Sequence, residues 1–476
     1  MDPFPHPMLH RPNQDAEHIH RQRQHKFSRR HLLYLSAANL VAASLTLTVG
    51  AACTPPVINT EAEPAREPAQ LVYQDWRTDW FPAMAQEMLA KFHERHPRIR
   101  VFFTPDPENV ADAMLTDMAA GTAPDLFQGC CTYFPIWAQK GYTLDLRTYV
   151  SRDIGQETIA DWDPAQYRSF FLPDGYQFGL PKYHGTVALY FNKDLFDAAG
   201  VAYPTADWTY EAYLDAMQRL TMPMPTDDAP PRRGSMVDIV WDRVQMYVNS
   251  WGGHLVEPGD PLDCAMGEPA ALAAMRWLHE RIWTDQSMAT YIDVQNMSTR
   301  SAFVNQRVAM IEEGSWALKE ILTYANFRVG VAPFPAGPEH HVALTTTDGY
   351  GIYQNTEHPE EAWELMQFLT SAEYGLAMAT ANYLQPARAS LAPDWIEFVR
   401  TQAAGKITAA DMAAFVDGQM KGYSVTVEIA ADMADAQRRA ADAWESIFIL
   451  NQAPVSQMIE VCRKIQNTQR LRMLAG

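Results

Sequence analysis

From Leu71 onward, apolar residues recur with two alternating periods. LVYQDW is a short apolar run that reads as a buried strand. In DWFPAMAQEMLAKFHERHP, Trp80, Met84, Met88, Leu89 and Phe92 share one helical face before Pro97 ends the helix. RIRVFFT reads as the next strand. VADAMLTDMAAG reads as a second amphipathic helix with Val110, Met114, Leu115 and Met118 in phase, and PDLFQG as a third strand. This rhythm predicts a parallel α/β sheet. Ligands of such sheets sit at the carboxyl ends of the strands, so Trp76-Arg77 and the stretch Gly129 to Tyr133 fall at one edge. The Pro-rich MPMPTDDAPPRRGSM (222–236) reads as a loop. Residues 391–476 follow a mainly helical pattern.

The N-terminus has a different pattern. Residues 1–31 are polar and rich in His and Arg. The next 21, Leu32 to Ala52, carry no charge, and Cys53 is followed by TPPVINTEAEPAREPAQ, which is too polar to fold. A basic region, an apolar core and small residues at the exit form a secretory signal. Ser28-Arg29-Arg30 resembles a twin-arginine export signal. Gly50-Ala51-Ala52-Cys53 resembles a lipoprotein processing box, with Gly where Leu is common. The expectation is an export signal over 1–53 with Cys53 lipidated, then a disordered tether over 54–70. An uncleaved signal anchor is the alternative, since about 20 apolar residues can span a bilayer. Either arrangement puts the remaining chain outside the cytoplasm.

Charge narrows the partners. The chain carries a net −19, and removing residues 1–52, with six basic and three acidic side chains, leaves −22. So acidic a surface repels phosphate backbones and anionic lipid, which argues against nucleic-acid binding. Enzyme signatures are missing. EEGSWA lacks the second Gly of a nucleophile elbow, HERH has the wrong spacing for two metal ligands on one helix face, and DGYGIY fails the dinucleotide fingerprint. His340-His341 read as an exposed turn without enough further ligands for a metal. No cofactor or metal is expected. A glycosidase needs only two carboxylates about 5–10 Å apart, so a carbohydrate-active hydrolase stays as an alternative.

Nine segments then occur in order: FHERHPRIRV, GTAPDLF, YQFGLPKYHGTVALYFNKDLFDAAGV, PTADWTYEAYLDAMQRLT, NSWGGHLV, AFVNQRVAMIEEGSWAL, VAPFPAGP, TTDGYGIY and HPEEAWELMQFLTSAEYG. Together they resemble the extracellular solute-binding proteins of family 1, carbohydrate-binding lipoproteins that serve ABC importers. The resemblance runs from about Leu71 to about Ser390. It implies a two-lobe α/β fold of the periplasmic-binding-protein kind, with a hinge crossed several times and a ligand cleft between the lobes. The implied lobes are 71–185 plus 349–386 and 186–348 plus 387–476, with crossings near Tyr183–Thr186, near Asp348 and at LQPARASL. The implied partners are a carbohydrate, ABC permease subunits and the membrane through the N-terminal lipid, with the chain itself a monomer. A lipid-anchored sugar sensor would share every one of these features.

Sugars present hydroxyls at their edges and apolar C–H faces, so a sugar cleft needs aromatic rings and polar groups. Loops that supply both occur at the expected mouth, with Trp76, Arg77, Tyr133, Tyr183, His184, Trp251, Gly252, Glu313, Ser315, Trp316, Asp348 and Tyr350. Trp316 is the leading stacking platform, with a core Trp as its alternative. His184 reads equally as a ligand or a satisfied structural group, and Trp251 equally as a loop wall. Asp125 could accept from a hydroxyl or cap its own loop, and Arg388 could reach the cleft or form a surface ion pair.

Apart from Cys53, four cysteines remain in a compartment where disulfides persist. They allow three complete pairings. One joins the neighbours Cys130 and Cys131, which would give a rigid apolar bump beside Tyr133 and bring Cys131 against a sugar face. The alternative gives the two thiols different fates, one buried under the sheet and the other bonded to Cys264 or free.

Overall fold

The computed structural model describes residues 67–224 and 231–475. The export signal, Cys53 and tether residues 54–66 lie outside the described residues. Twelve strands are present among those described: β1 (Ala69–Asp75), β2 (Ile99–Pro105), β3 (Leu126–Gly129), β4 (Leu180–Pro181), β5 (Val187–Asn192), β6 (Arg233–Met236), β7 (Met288–Ala289), β8 (Val308–Gly314), β9 (Val329–Ala332), β10 (Ala343–Leu344), β11 (Gly349–Ile352) and β12 (Ser424–Val425). They form two five-stranded sheets, ordered β2-β1-β3-β11-β4 and β7-β6-β8-β5-β9, plus the short pair β10-β12.

The first sheet follows the predicted rhythm. β1 pairs in parallel with β2 and β3, and helices Phe81–Arg95 and Val110–Ala120 make the crossovers. Strand β1 starts at Ala69, paired to Ile99, so the tether is shorter at its end than the sequence suggested. β11 joins antiparallel from far along the chain. One face packs Leu71, Tyr73, Phe81, Met88, Leu126 and Ile352 with Trp363 and Leu365 of helix Pro359–Leu369. Met114, Phe127, Phe134 and Trp137 form a separate apolar group.

The second sheet corrects one reading. Arg233–Met236, at the end of the stretch taken as a loop, is β6, which lies between β7 and β8. Its Gly234, Ser235 and Met236 are buried, but RGSM has neither a long apolar run nor alternation to announce a strand. The second lobe's two cores include Leu189, Tyr213, Met246 and Trp444 in one and Tyr190, Ile311, Trp395 and Phe415 in the other. The helical C-terminal part therefore belongs with the second sheet. Helices Met433–Trp444 and Gln457–Ala475 close over it, the latter tied down by a Cys264–Cys462 disulfide across 198 residues.

Three chain segments run between the lobes side by side. His184 N–H donates to Gln385 O at 3.0 Å, Thr346 N–H to Gly185 O at 2.7 Å, and Lys182 N–H to Asp348 O at 3.1 Å. Tyr183 bridges to Pro386 and Thr186 to Thr345. The crossings thus form a small hydrogen-bonded hinge.

Candidate ligand cleft between the lobes

At the carboxyl edge of the first sheet, β1, β2, β3 and β4 end at Asp75, Pro105, Gly129 and Pro181, and the residues just beyond meet. Lys182 forms a fully buried ion pair with Asp75, which also accepts from the Tyr73 hydroxyl. The ammonium lies 3.1 Å from the Trp76 ring centroid and 4.5 Å from that of Phe81, a cation–π cage. Asp106 accepts from Gln74 at 3.2 Å and from Gln128 at 2.8 Å. Burial, with the Asp75 charge adding to it, raises Asp106 to about 6. Burial likewise raises Asp348 to about 7, against the pull of Lys182. Desolvation penalises the charged form of a carboxyl, so this floor changes protonation near neutral pH.

The loop after β3 forms the rim. Cys130 and Cys131 are joined to each other, and Cys131 is exposed with φ +56°. The Tyr133 hydroxyl lies 3.1 Å from Cys130 Sγ; a disulfide sulfur has no proton, so the hydroxyl is the donor. Thr347, on the second crossing, donates to Cys131 O at 3.3 Å, and Thr132 donates to Gln437 of the second lobe at 3.1 Å. Gly129 lets the helix that follows cover the strand end, because a Cβ there would sit 2.4 Å from the Phe134 ring.

Behind this rim a cavity of about 810 Å³ opens between the lobes. Leu115, Tyr133, Ile136 and Lys140 wall it from the first lobe, and Leu262, Met433 and Gln469 from the second. Gln469 is 3% exposed and its side-chain carbonyl has no hydrogen-bond partner. Such a cavity has the size and mixed lining of a small-molecule site.

On the second lobe, β8 delivers Glu313 to the corresponding edge. Glu313 pairs with Arg300 at 2.8 Å and with Arg243 at 3.8 Å. Burial opposes its ionisation, but these two arginines prevail and hold its carboxyl below the usual range. Trp316 follows, packed against core groups of both lobes. Its indole lies over the backbone of Gly314 and Gly185, where added Cβ atoms would sit 2.2 and 2.8 Å from it, and the Arg243 guanidinium is 5.8 Å from the ring centroid.

The structure therefore sorts the predicted residues. Tyr133 lines the cavity; Trp76 packs with the first lobe's core, Trp316 between cores of both lobes, Glu313 and Asp348 are buried, and Cys131 is exposed. Arg77 is exposed nearby and pairs with Glu108 at 3.5 Å. Tyr183 is buried in the hinge with its ring 5.4 Å from that of Trp76. Several others have structural places. Asp125 stands at the opposite, amino end of β3, where it accepts from Val72 N–H at 2.8 Å and from Thr356 at 2.7 Å. Tyr350 is fully buried in β11 as core. Ser315 Oγ accepts from Thr186 N–H at 3.3 Å and ties β8 to the first crossing. Trp251 packs on Tyr210, with centroids 4.4 Å apart, as lobe packing, and Gly252 forms the turn after it with φ +73°. Arg388 lies 4.0 Å from Asp161 and stacks over Trp162 at 5.0 Å.

His184 takes the structural one of its two readings. It is fully buried, and its ring touches all three crossings. Nδ1 lies 3.2 Å from the Thr186 hydroxyl and accepts from Gln385 at 2.9 Å, which assigns the proton to Nε2, 3.0 Å from the Thr345 hydroxyl. Asp163 lies 3.6 Å from Nε2. The imidazole is a hinge pin.

Residues 75–376 match the family model described as bacterial extracellular solute-binding protein. A binding protein of Brucella abortus is 26% identical over 300 residues, covering 61% of this chain and 69% of that protein. Among solved structures, an ABC substrate-binding protein of Listeria monocytogenes in complex with cycloalternan superposes with a TM-score of 0.72 at 20% identity, over 86% of this chain and 99% of that one. UgpB of Mycobacterium tuberculosis in complex with glycerophosphocholine gives 0.70 at 16% identity, over 85% and 99%. The GacH receptor of Streptomyces glaucescens, solved unliganded and with acarbose, gives 0.64 at 18% identity, over 85% and 98%.

Proposed function

Because this chain belongs to the bacterial extracellular solute-binding protein family, we propose that it is the substrate-binding subunit of an ABC importer for a sugar or oligosaccharide. The observation that carries this reading is the cavity between the lobes. It combines apolar walls at Leu115, Ile136 and Met433 with polar groups at Tyr133, Lys140 and Gln469, which suits a ligand with C–H faces and hydroxyl edges. The solute is held as the lobes close about the three-stranded hinge, and the closed form is presented to membrane permeases. Cys53, lipidated, tethers the protein outside the cytoplasm as a monomer. Solved structures of the same fold are in complex with cycloalternan and with acarbose, which favours a saccharide.

A thermal-shift panel of mono-, di- and oligosaccharides tests this, since a ligand at 100 times its Kd stabilises by about 2.7 kcal/mol. X-ray scattering with the best hit then reads closure, expected as a smaller radius of gyration. A panel without any shift refutes the saccharide reading. An unchanged radius at saturation refutes capture by lobe closure.

A further inference from the structure

The loop after β3 contains a chemistry that solute capture does not require. The chain has two disulfides among its described residues, in opposite settings. Cys264 and Cys462 are 7% and 4% exposed within the second lobe. Cys131 is exposed at the rim of the cleft, and its partner Cys130 is half-buried beside Tyr133. Thiol–disulfide exchange depends on access, on which sulfur is attacked and on how well the other sulfur leaves. All three favour the rim. The exposed residue of the pair is Cys131, and the sulfur that would leave, Cys130 Sγ, already faces a hydroxyl donor, Tyr133, at 3.1 Å.

We propose that Cys130–Cys131 is a thiol-exchange site, opened by an extracytoplasmic dithiol, whose redox state sets how firmly the two lobes hold together. One thiolate of the dithiol attacks Cys131 Sγ. The bond between the cysteine sulfurs breaks, and Cys130 leaves as a thiolate that accepts the Tyr133 hydrogen bond and then a proton. The second thiol of the reductant, as its thiolate, attacks its own sulfur in the mixed disulfide and expels Cys131. Two cysteine thiols are formed and the dithiol is oxidised to a disulfide, so two electrons and two protons move to the protein.

Two features link this step to the lobes. Cys131 has a left-handed backbone that residues with a Cβ rarely adopt, and opening the ring frees it to relax. Its carbonyl is held by Thr347 of the hinge, and the next residue, Thr132, donates to Gln437 across the cleft. Relaxation at Cys131 therefore disturbs a hinge contact, an interlobe hydrogen bond and the Tyr133 wall of the cavity together. None of this depends on which solute is bound.

The test treats the full-length chain with dithiothreitol, quenches with iodoacetamide at timed intervals and maps labelled peptides by mass. Cys130 and Cys131 should label at least about tenfold faster than Cys264 and Cys462. With glutathione, a monothiol, the trapped adduct should sit on Cys131, and Tyr133→Phe should slow opening without changing the rate at Cys264–Cys462. Hydrogen exchange in residues 433–440 should quicken in the reduced protein, and Cys130→Ala/Cys131→Ala should reproduce this without reductant. Equal labelling of both pairs, or an adduct on Cys130, overturns the exchange site. Unchanged exchange in 433–440 of the reduced wild-type protein overturns the link to the lobes.

Discussion

Replacing Cys264 and Cys462 should destabilise the second lobe far more than replacing Cys130 and Cys131. In the chain-entropy description, a cross-link stabilises by restricting the unfolded chain, and the effect grows with the logarithm of the loop it closes. The Cys264–Cys462 bond spans 198 residues, for which that relation gives a ceiling of about 5 kcal/mol at 25 °C. Cys130 and Cys131 are adjacent, and the same relation gives about 1 kcal/mol. Alanine is the right replacement at the buried pair, because a serine hydroxyl without a partner there would add a penalty of about 1–3 kcal/mol unrelated to the cross-link. The assay is urea unfolding of both double variants and the wild type, followed by far-UV circular dichroism and tryptophan fluorescence to expose any uncoupling of the lobes. A deficit below about 1 kcal/mol for the Cys264/Cys462 variant, or one equal to that of the Cys130/Cys131 variant, would refute the reasoning. It would mean that Met458, Val461 and Ile465 alone hold the last helix in place.

Three further outcomes are expected. Trp316→Ala removes a ring shared by the cores of both lobes; the protein should stay folded at a cost of up to about 3–5 kcal/mol and lose affinity for the best saccharide of the panel, and unchanged affinity by calorimetry would count against a cleft role. Asp348 and Asp106, raised by burial to about 7 and about 6, bind protons in the folded state that the unfolded chain has released above its own carboxyl range. Their contribution therefore falls as pH rises from about 4 to 7, so melting at pH 5 and pH 8 should differ less in Asp348→Asn than in the wild type; an undiminished gap would remove Asp348 as its source. His184→Ala leaves the Gln385 amide and the Asp163 carboxylate short of a buried partner and should cost roughly 2–4 kcal/mol, with unliganded scattering shifted; wild-type stability and scattering would show that the imidazole does not pin the hinge.

What was legible in the sequence was what is local. The elements from Leu71 to Gly129 declare themselves by period, and the strand ends they imply bring Trp76 and Cys131 to one edge. The crossings near Tyr183–Thr186 and Asp348 came from the family resemblance, and the structure has chain segments passing between the lobes there. What escaped depends on distant partners. The three contacts that make His184 a pin come from Thr186, Thr345 and Gln385, the last 201 positions away. Lys182 stood one residue before a predicted contact, but a lysine beside an aromatic gives no sign that Asp75, 107 positions earlier, will bury it. The cavity wall at Leu262 and Met433 has no aromatic residue and a single carboxylate, Asp432, so a search for rings passes over it.

The buried pair at the floor then needs a reason. Taking an ammonium and a carboxylate out of water costs more than their attraction commonly returns, so Lys182 and Asp75 are poor devices for stability alone. Burial pushes Lys182 down and Asp75 up, against their mutual attraction. Lys182 is also the residue at which β4 runs into the first crossing, and its own N–H holds Asp348 O on the second. A residue fixed by Asp75, caged by Trp76 and Phe81 and bonded to the returning strand joins the sheet edge to the hinge at one point. Closure of the second lobe then turns about a fixed base. The ion pair thus buys a defined hinge origin at the expense of some stability, and it orients Trp76, which forms one wall of the cage.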